Sequence, residues 1–365
     1  MTTAVGRSKW ELDTPALCVE LPVMEQNIKT MSDTIIKKNG VGWRPHTKGQ
    51  KIPAVAHMEL AAGALGVTCA KLGEAEVMAG AGIKDILVAN QIVGCEKVTR
   101  LANLRRHADV MVAIDSFENA SQISKAAEAT GIPIRVLLEL DLGMHRAGTL
   151  PGEATLDLAT RVASLPGIAL SGVMGWEAHA IAIADQNEKR KVVTEAVGSL
   201  VATAELCRAS GLAMPIVSCG GTGTYWISST VPGVTEIQAG GGIFHDLLYN
   251  DVFKVPHAFA LTVVTTVTSR PAPNRIIVDA GKKAMSSDAV PPRPLNVGSV
   301  ERVSLSAEHG RIELKEPNHD LKVGDKVEWV VGYSDTTVFL HDDMFATRCG
   351  NVEQVWPILG RGKLR

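Results

Sequence analysis

Short apolar runs alternate with Ala-rich stretches of helical spacing from about Leu17 to Tyr249. The runs are rich in Val, Ile and Leu and mostly lack polar alternation, which is typical of strands that are buried on both faces. They lie at 65–70, 85–90, 109–114, 134–140, 167–175 and 214–220. The stretches between them end at glycine, a common helix stop signal, and include 71–82, 116–131 and 187–211.

This alternation predicts a parallel sheet with crossover helices, because a chain must cross one face of a sheet to start the next parallel strand. About eight β–α units over roughly 240 residues suit a closed (β/α)8 barrel. An open doubly wound sheet is the alternative. The barrel is favoured because no Gly-rich dinucleotide turn follows the first strand.

The sequence pattern changes after Val255, where apolar runs are separated by turns rich in Pro, Gly, Asn and Asp and not by helical stretches. These runs lie at 259–271, 275–281, 311–315, 326–333 and 351–359. They predict a smaller all-β domain, so we expect a barrel domain over 1–255 and a β domain over 256–365. The sequence leaves open which of the two receives a first strand near 17–21.

Composition is that of an ordinary globular protein, with 365 residues, 45% hydrophobic and 21% charged, and a formal net charge of −2. Dispersed Lys and Arg residues argue against nucleic acid or a membrane surface as partner. No apolar stretch has the length of a membrane span, and the N-terminal residues contain no apolar core of signal-peptide length. The six cysteines form no CxxC pair, which argues against a zinc knuckle or a disulfide framework. We therefore expect a cytoplasmic enzyme.

The strongest local motif is RPHTK at 44–48, ahead of the first convincing helix. Pro45 restricts the backbone, and Lys48 is expected at the C-terminal end of a first barrel strand, where barrel active sites are built. A lysine there can act as a nucleophile toward a carbonyl. Residue type alone favours an ordinary surface lysine, and the motifs downstream reverse that interpretation.

A second motif, ELDLGMHRAG at 139–148, runs from a strand into a loop that holds Arg146 between two glycines. A guanidinium fixed there can donate to a ring atom of an aromatic cofactor, or it can form an ordinary strand-end ion pair. A third motif, SCGGTGT at 218–224, and a glycine run at 240–242 suit a phosphate, because glycines let backbone amides converge. No GxxxxGK[ST] motif is present, which argues against a nucleoside triphosphate.

Together these motifs resemble the D-threonine aldolase / D-serine dehydratase-like family, whose members join an alanine-racemase-type barrel to a C-terminal β domain. The resemblance covers nearly the whole chain and implies pyridoxal 5'-phosphate held on Lys48, with Arg146 at the cofactor ring. MGWEAH at 174–179 resembles a family stretch that ends in an active-site histidine, here His179. The resemblance also implies two phosphate loops, at Gly221, Thr222, Gly223 and Thr224 and at Gly241, Gly242 and Ile243.

The chain departs from this family where a metal is expected. Aldolases and dehydratases of the family carry a divalent metal on a His-x-Asp or His-x-Cys pair in the β domain. Here Tyr333 stands where the histidine belongs, and Asp335 is kept. A phenol replaces imidazole poorly as a ligand for zinc or manganese. His341 and Asp343 offer a second His-x-Asp spacing, and residues two apart on a strand share a face. The metal is therefore an open question at this stage.

The resemblance implies a homodimeric lyase that cleaves a small β-hydroxy-D-amino acid, of D-threonine or 3-hydroxyaspartate type, to glycine or a small amino acid and an aldehyde. The catalytic candidates are Lys48, His179 and Tyr333. Tyr333 is either an acid–base group that replaces the metal or a packed strand residue. A dehydratase and a racemase are alternatives. A non-enzymatic carrier of pyridoxal phosphate is disfavoured, because a carrier needs only the barrel.

Overall fold

A computed structural model describes residues 4–365 of the chain. Within these residues the strands form two sheets, one of eight strands and one of nine. The strands are β1 (Ala16–Glu20), β2 (Gly42–Trp43), β3 (Val67–Cys69), β4 (Asp85–Gln91), β5 (Asp109–Ile114), β6 (Ile134–Leu140), β7 (Ile168–Gly175), β8 (Ile216–Cys219), β9 (Glu236–Ile237), β10 (Leu261–Ala272), β11 (Arg275–Val278), β12 (Arg293–Pro294), β13 (Val300–Leu305), β14 (Gly310–Leu314), β15 (Lys326–Val330), β16 (Asp343–Arg348) and β17 (Asn351–Pro357).

The eight-stranded sheet runs in the order β2-β9-β8-β7-β6-β5-β4-β3, and its neighbours pair in parallel. Its two end strands meet, because His46 forms a parallel bridge with Thr68 and the Leu65 amide donates to the Trp43 carbonyl at 2.8 Å. The predicted closed (β/α)8 barrel is confirmed.

The barrel strands are continuous apolar runs in the sequence because both of their faces are buried. One core cluster joins Leu87, Met111, Ala113, Leu137 and Met174 from four neighbouring strands, all nearly inaccessible to solvent. Each of the Leu and Met side chains contributes roughly 1.5–3 kcal/mol by burial. This cluster explains why the predicted strands between 85 and 175 lie within a residue or two of the observed ones.

Helices connect the barrel strands across the outside, as a parallel sheet requires. The α-helices are α1 (Leu21–Ser32), α2 (Pro53–Ala61), α3 (Leu72–Gly80), α4 (Cys95–Leu104), α5 (Phe117–Thr130), α6 (Glu153–Ala163), α7 (Gln186–Ala209) and α8 (Tyr225–Ser228). In α5 the Ser116 side chain caps the first turn and Gly131 ends the helix at φ 70°. Both signals are visible in the sequence.

The nine-stranded sheet contains β1 and β10–β17 and is mostly antiparallel. Its long strand β10 pairs with β1, β11 and β15. β1 pairs antiparallel with β10 and parallel with β16, so the first strand of the chain belongs to this sheet and not to the barrel. Residues of β1 and β10 share a buried cluster that includes Ala16, Cys18 and Val264.

The chain divides into two compact units. The barrel unit comprises Thr30–Lys48, Pro53–Gly240 and Gly362–Arg365; the β unit comprises the residues up to Lys29, Gly49–Ile52 and Gly241–Arg361. This division differs from the single boundary predicted at residue 255, because β1 pairs inside the nine-stranded sheet and takes the N-terminal segment with it. Within the described residues, no helix is both long and apolar enough to cross a membrane.

Candidate active site

Lys48 follows β2 at the place where the barrel closes. The Trp43 indole donates to the Ala239 carbonyl at 2.8 Å, which ties β2 to the segment after β9. The Lys48 amide lies 3.4 Å from Nδ1 of His46. A Cβ on Gly240 would lie 2.2 Å from the His46 carbonyl oxygen, so only glycine permits this approach. The backbone that carries Lys48 is therefore held from both sides.

A tryptophan that follows β7 gathers two of the predicted site residues. Nζ of Lys48 lies 5.6 Å from the centroid of the Trp176 ring, and Cζ of Arg146 lies 5.5 Å from it. Both distances are in the range of cation–π attraction. The indole Nε1 is buried and has no hydrogen-bond partner within residues 4–365. It lies 2.6 Å from the position that a Cβ on Gly221 would occupy, so it borders the first glycine motif.

Arg146 lies beside a buried carboxylate. Its NH2 is 3.6 Å from Oε1 of Glu139, and Oε2 of Glu139 accepts from the Gln91 amide at 2.5 Å. Burial raises the pKa of Glu139, an effect that the Gln91 hydrogen bond and Arg146 oppose. The Arg146 side chain is 53% exposed, which leaves the guanidinium room to donate to a ligand.

His179 lies on a short 3-10 turn, Ala178–Ala180, and is exposed. Its imidazole packs against Gly143, where an added Cβ would come within 3.1–3.3 Å of three ring atoms. Gly143 has φ 115°, which disfavours any other residue at this position. The structure thus brings the stretch at 174–179 onto the loop that carries Arg146.

The first glycine motif follows β8 and surrounds a carboxylate that sequence reasoning did not select. Glu177 is fully buried, and its Oε1 accepts from the hydroxyls of Thr224 and Ser228, each at 2.5 Å. Its Oε2 accepts from the Gly220 amide at 3.3 Å. The Gly221 amide donates in turn to the Thr224 hydroxyl at 3.2 Å. Thr222 is buried in the same segment.

These groups suit one kind of ligand. Lys48 supplies an amine for a carbonyl, Arg146 supplies a donor for a ring atom, and the buried Nε1 of Trp176 is an unsatisfied donor beside a glycine segment. Buried polar groups in proteins are nearly always hydrogen-bonded, so an unsatisfied one points to a missing partner. The residues present therefore fit an anionic, aromatic molecule with a carbonyl group.

The second glycine segment lies in the β unit, where Gly241–Ile243 form a short 3-10 turn. The Asn27 amide donates to the Ile243 carbonyl at 3.1 Å, and His257 is hydrogen-bonded to the backbone of Gly242. A Cβ on Gly241 would lie 2.9 Å from the hydroxyl of Tyr249. The turn is therefore fixed from several sides, as a binding loop must be.

Tyr333 also lies in the β unit, and its hydroxyl donates to Oδ2 of Asp335 at 2.9 Å. Burial, and then the charge of Asp335, raise the pKa of Tyr333 above its ordinary value. Oδ1 of Asp335 lies 2.4 Å from the position that a Cβ on Gly49 would occupy. Gly49 is the residue that follows Lys48 in the chain.

This arrangement does not fit a zinc-type metal ion. A protonated phenol that donates to Asp335 offers no lone pair comparable to that of imidazole. Within residues 4–365 no group of three or more His, Cys, Asp or Glu side chains lies together as a metal site. His341 is outside β16, and its Nε2 lies 2.8 Å from the Ala284 carbonyl. Asp343, the first residue of β16, is exposed.

Comparison with known proteins identifies the family. Residues 19–247 match the family described as "Alanine racemase, N-terminal domain", and residues 260–347 match that described as "Putative serine dehydratase domain". The chain belongs to the alanine racemase N-terminal domain family.

This family member resembles several curated proteins, two of them over nearly its whole length. It is 34% identical to a D-threonine aldolase of Arthrobacter sp over 96% of this chain and 93% of that protein. It is 35% identical to a 3-hydroxy-D-aspartate aldolase of Paracoccus denitrificans (strain Pd 1222) over 98% and 94%. A D-threo-3-hydroxyaspartate dehydratase of Delftia sp. (strain HT23) is 34% identical over 76% and 73%.

Solved structures of the same kinds of protein are also similar to this chain. A D-threonine aldolase from Filomicrobium marinum superposes with a TM-score of 0.94 at 32% identity, covering 100% of both chains. The dehydratase from Delftia sp. HT23 superposes with a TM-score of 0.86 at 27% identity, over 96% of this chain and 98% of that one. The resemblance predicted from the motifs is confirmed.

Trp176 and Glu177 are the two site residues that sequence reasoning missed. Both lie in the stretch at 174–179, where only His179 had been selected. A signal was present, because a charged residue close to the end of a largely apolar, buried strand must be paired or solvated. Glu177 stands two residues after the end of β7.

Proposed function

We propose that this family member is a pyridoxal-phosphate-dependent lyase that cleaves a β-hydroxy-D-amino acid into glycine, or another small amino acid, and an aldehyde. The observation that carries the proposal is the Trp176 ring, which has Lys48 and Arg146 within cation–π distance and Gly221 at its nitrogen. The names of the curated relatives, D-threonine aldolase and 3-hydroxy-D-aspartate aldolase, support the reaction class.

Pyridoxal phosphate, when bound, withdraws electrons from a bond at Cα of an attached amino acid. Nζ of Lys48 would hold its carbonyl carbon, and Arg146 would donate to its ring. The Trp176 Nε1 and the Gly223 amide would meet the phosphate, because the Gly221 and Thr224 amides already donate within the segment. In the β unit, the segment Gly241–Ile243 is the second candidate for phosphate contact. Each assignment uses a donor of the type that the ligand atom requires.

His179 is the candidate base of the barrel unit. An exposed imidazole held against Gly143 can take the proton of a substrate β-hydroxyl, and removal of that proton lets the Cα–Cβ bond break. Cα then needs a proton for glycine to form, and Nζ of Lys48 could supply it once it is released from the cofactor; in a dehydratase or a racemase the same group would take the proton from Cα. In the β unit, Tyr333 with Asp335 is the candidate acid–base pair, and its chemistry requires no metal.

Product analysis tests the proposal directly. Purified protein is incubated with D- and L-forms of threonine, allothreonine and 3-hydroxyaspartate, and the products are quantified. Glycine with an equal amount of aldehyde, from D-substrates only, is the expected result. Ammonia and a keto acid would instead establish a dehydratase, the alternative favoured by the Delftia relative. Inverted stereochemistry would establish a racemase. Cofactor binding without any product would leave only the carrier.

A homodimer in the cytoplasm completes the proposal. Six free cysteines, four of them buried, are typical of proteins from a reducing compartment. Sedimentation of the purified protein at micromolar concentration tests the dimer, and a monomer that retains full turnover would contradict it.

A further inference from the structure

We propose that Glu177 is a positioning residue that shapes the first glycine segment, residues 220–224, to receive a phosphate monoester. The inference deepens the proposed function and rests on it for the identity of the ligand as pyridoxal phosphate. It assigns a role to a side chain that makes no contact with the reacting atoms and acts through the segment around it.

The geometry shows a carboxylate at the centre of the segment. Glu177 has no solvent exposure, yet it receives three donors, from Gly220, Thr224 and Ser228. Burying a charged carboxylate is costly unless its oxygens are hydrogen-bonded, and here both oxygens are. A residue that contributed only packing would not need a charge at this place. The arrangement therefore indicates a function for the charge itself.

As a consequence, the hydrogen-bond donors in and beside the segment fall into two groups: those that bond to Glu177 or within the segment, and those that remain for a ligand. The amide of Gly220 points to Glu177, and the amide of Gly221 points to the Thr224 hydroxyl, which itself donates to Glu177. The Gly223 amide donates to no acceptor within residues 4–365. Glu177 thus takes the inner donors and fixes the backbone. The Gly223 amide and Nε1 of Trp176 are the donors that remain for an anion.

This division also reassigns Thr224. The family resemblance implies that Thr224 belongs to a loop that binds the phosphate. In the structure its hydroxyl donates to Glu177 at 2.5 Å, and the Thr224 amide donates to the Gly221 carbonyl at 3.0 Å. We therefore infer that Thr224 supports phosphate binding through Glu177. Direct binding of the phosphate by Thr224 and support through Glu177 predict different affinities for a double variant.

The experiment measures ligand affinity and not turnover. The full-length chain is stripped of cofactor and titrated separately with pyridoxal phosphate and with pyridoxal, which lacks the phosphate. The variants are Glu177→Gln, Thr224→Val and the double variant. Glu59→Gln, another fully buried glutamate of the barrel unit, is the matched control. Melting temperatures of all stripped proteins report on folding.

Glu177→Gln is expected to weaken pyridoxal phosphate binding by about tenfold to a hundredfold, the scale of a lost charge-assisted hydrogen bond. Pyridoxal binding should change less than about twofold, and Glu59→Gln should match the wild type for both ligands. Because Thr224 acts through Glu177, the double variant should bind no more weakly than Glu177→Gln alone. Should Glu177→Gln fail to fold, Ser228→Ala is expected to show the same phosphate-specific loss at a smaller size.

Three results would overturn the inference. The first is a Glu177→Gln protein that binds pyridoxal phosphate like the wild type. The second is an equal loss for pyridoxal, which would show a general structural defect. The third is additive losses in the double variant, which would place Thr224 directly on the phosphate. A wild type that binds neither compound would overturn the proposed function together with this inference, whereas the other results leave that function intact.

Discussion

The hydroxyl of Tyr333 donates to Oδ2 of Asp335 across 2.9 Å, at the two positions where the motif resemblance led us to expect a metal site. Burial and the neighbouring carboxylate raise the pKa of Tyr333, so the phenol keeps its proton at neutral pH. A protonated phenol is a donor and not a metal ligand. The pair is therefore suited to proton transfer.

The first prediction concerns metal removal. Prolonged incubation with a strong chelator, followed by dialysis, should leave at least about half of the aldolase activity. The reason is that the Tyr333 hydroxyl donates to Asp335, and a protonated phenol in place of an imidazole leaves an underfilled site for a zinc-type ion. Activity is measured as glycine formed from D-threonine. Complete loss that added Mn²⁺ or Zn²⁺ restores would contradict the prediction and make His341 and Asp343 the next residues to test.

Tyr333→Phe should lower turnover by on the order of a hundredfold, the usual scale for a lost acid–base group. Affinity for pyridoxal phosphate should stay the same, because the substitution removes only one hydroxyl. Tyr225→Phe, at a buried tyrosine of the barrel unit, is the matched control and should keep full turnover. Equal turnover in Tyr333→Phe and wild type would show that Tyr333 is merely packed.

Gly49→Ala should disturb the same pair from another direction. The new methyl group would lie 2.4 Å from Oδ1 of Asp335, so the carboxylate must rotate away from its place beside Tyr333. We expect turnover to fall about tenfold with little change in melting temperature. Gly80→Ala is the matched control, because a Cβ there meets nothing within 4 Å. A Gly49→Ala protein with normal turnover would show that catalysis does not depend on the position of the Asp335 carboxylate.

Lys48 should be the residue that holds the cofactor. Reduction of the loaded protein with borohydride, followed by peptide mapping, should find the pyridoxyl group on the peptide that contains Lys48. Lys48→Ala should lose the visible absorbance band and nearly all activity. Label on Lys51, three residues further along, would show that the RPHTK motif has been misread.

His257 should make the β unit sensitive to acid. Burial, and then the charge of His245, lower its pKa from 6.5 to about 4. Between these values the unfolded chain takes up a proton that the folded chain does not. The stability present above pH 6.5 is therefore lost as pH falls through this window. From neutral pH to pH 5 the free energy of unfolding should fall in both proteins. The fall should be about 1–2 kcal/mol smaller in His257→Gln than in the wild type.

Urea unfolding at several pH values measures this difference. His319→Gln, at an exposed histidine, is the control and should follow the wild type at every pH. Parallel curves for wild type and His257→Gln would show that the histidine contributes nothing to acid sensitivity.

Much of the barrel was predictable, because β4 to β7 are long apolar runs and their burial dominates every other local preference. The bounds of β2 and β9 could not be predicted, since each has only two residues and carries no period; β2 was expected only as the strand that precedes Lys48. The first strand could not be assigned from its own sequence, because its place depends on pairing with β10 and β16, which lie far along the chain.

The site was predictable to the extent that short motifs carry it. RPHTK, the Arg146 loop and the glycine segments all have recognisable spacing, and the structure brings Lys48 and Arg146 to one ring. The roles of Trp176 and Glu177 depend on side-chain direction after β7. A sequence does not reveal which of two successive residues turns toward a ligand and which turns toward the interior.

The closure of the barrel has a consequence for how the protein matures. The indole of Trp43 donates to a carbonyl 196 positions away, and the short strand β2 has β9 and the Thr68 segment as its neighbours. Because contacts between distant positions form late in folding, the seam that carries Lys48 should close only after the other strands have assembled. A nascent chain released before Glu236 and Ile237 have been synthesised would lack the neighbour of β2. We therefore expect cofactor capture to be a late event that marks completed barrel assembly.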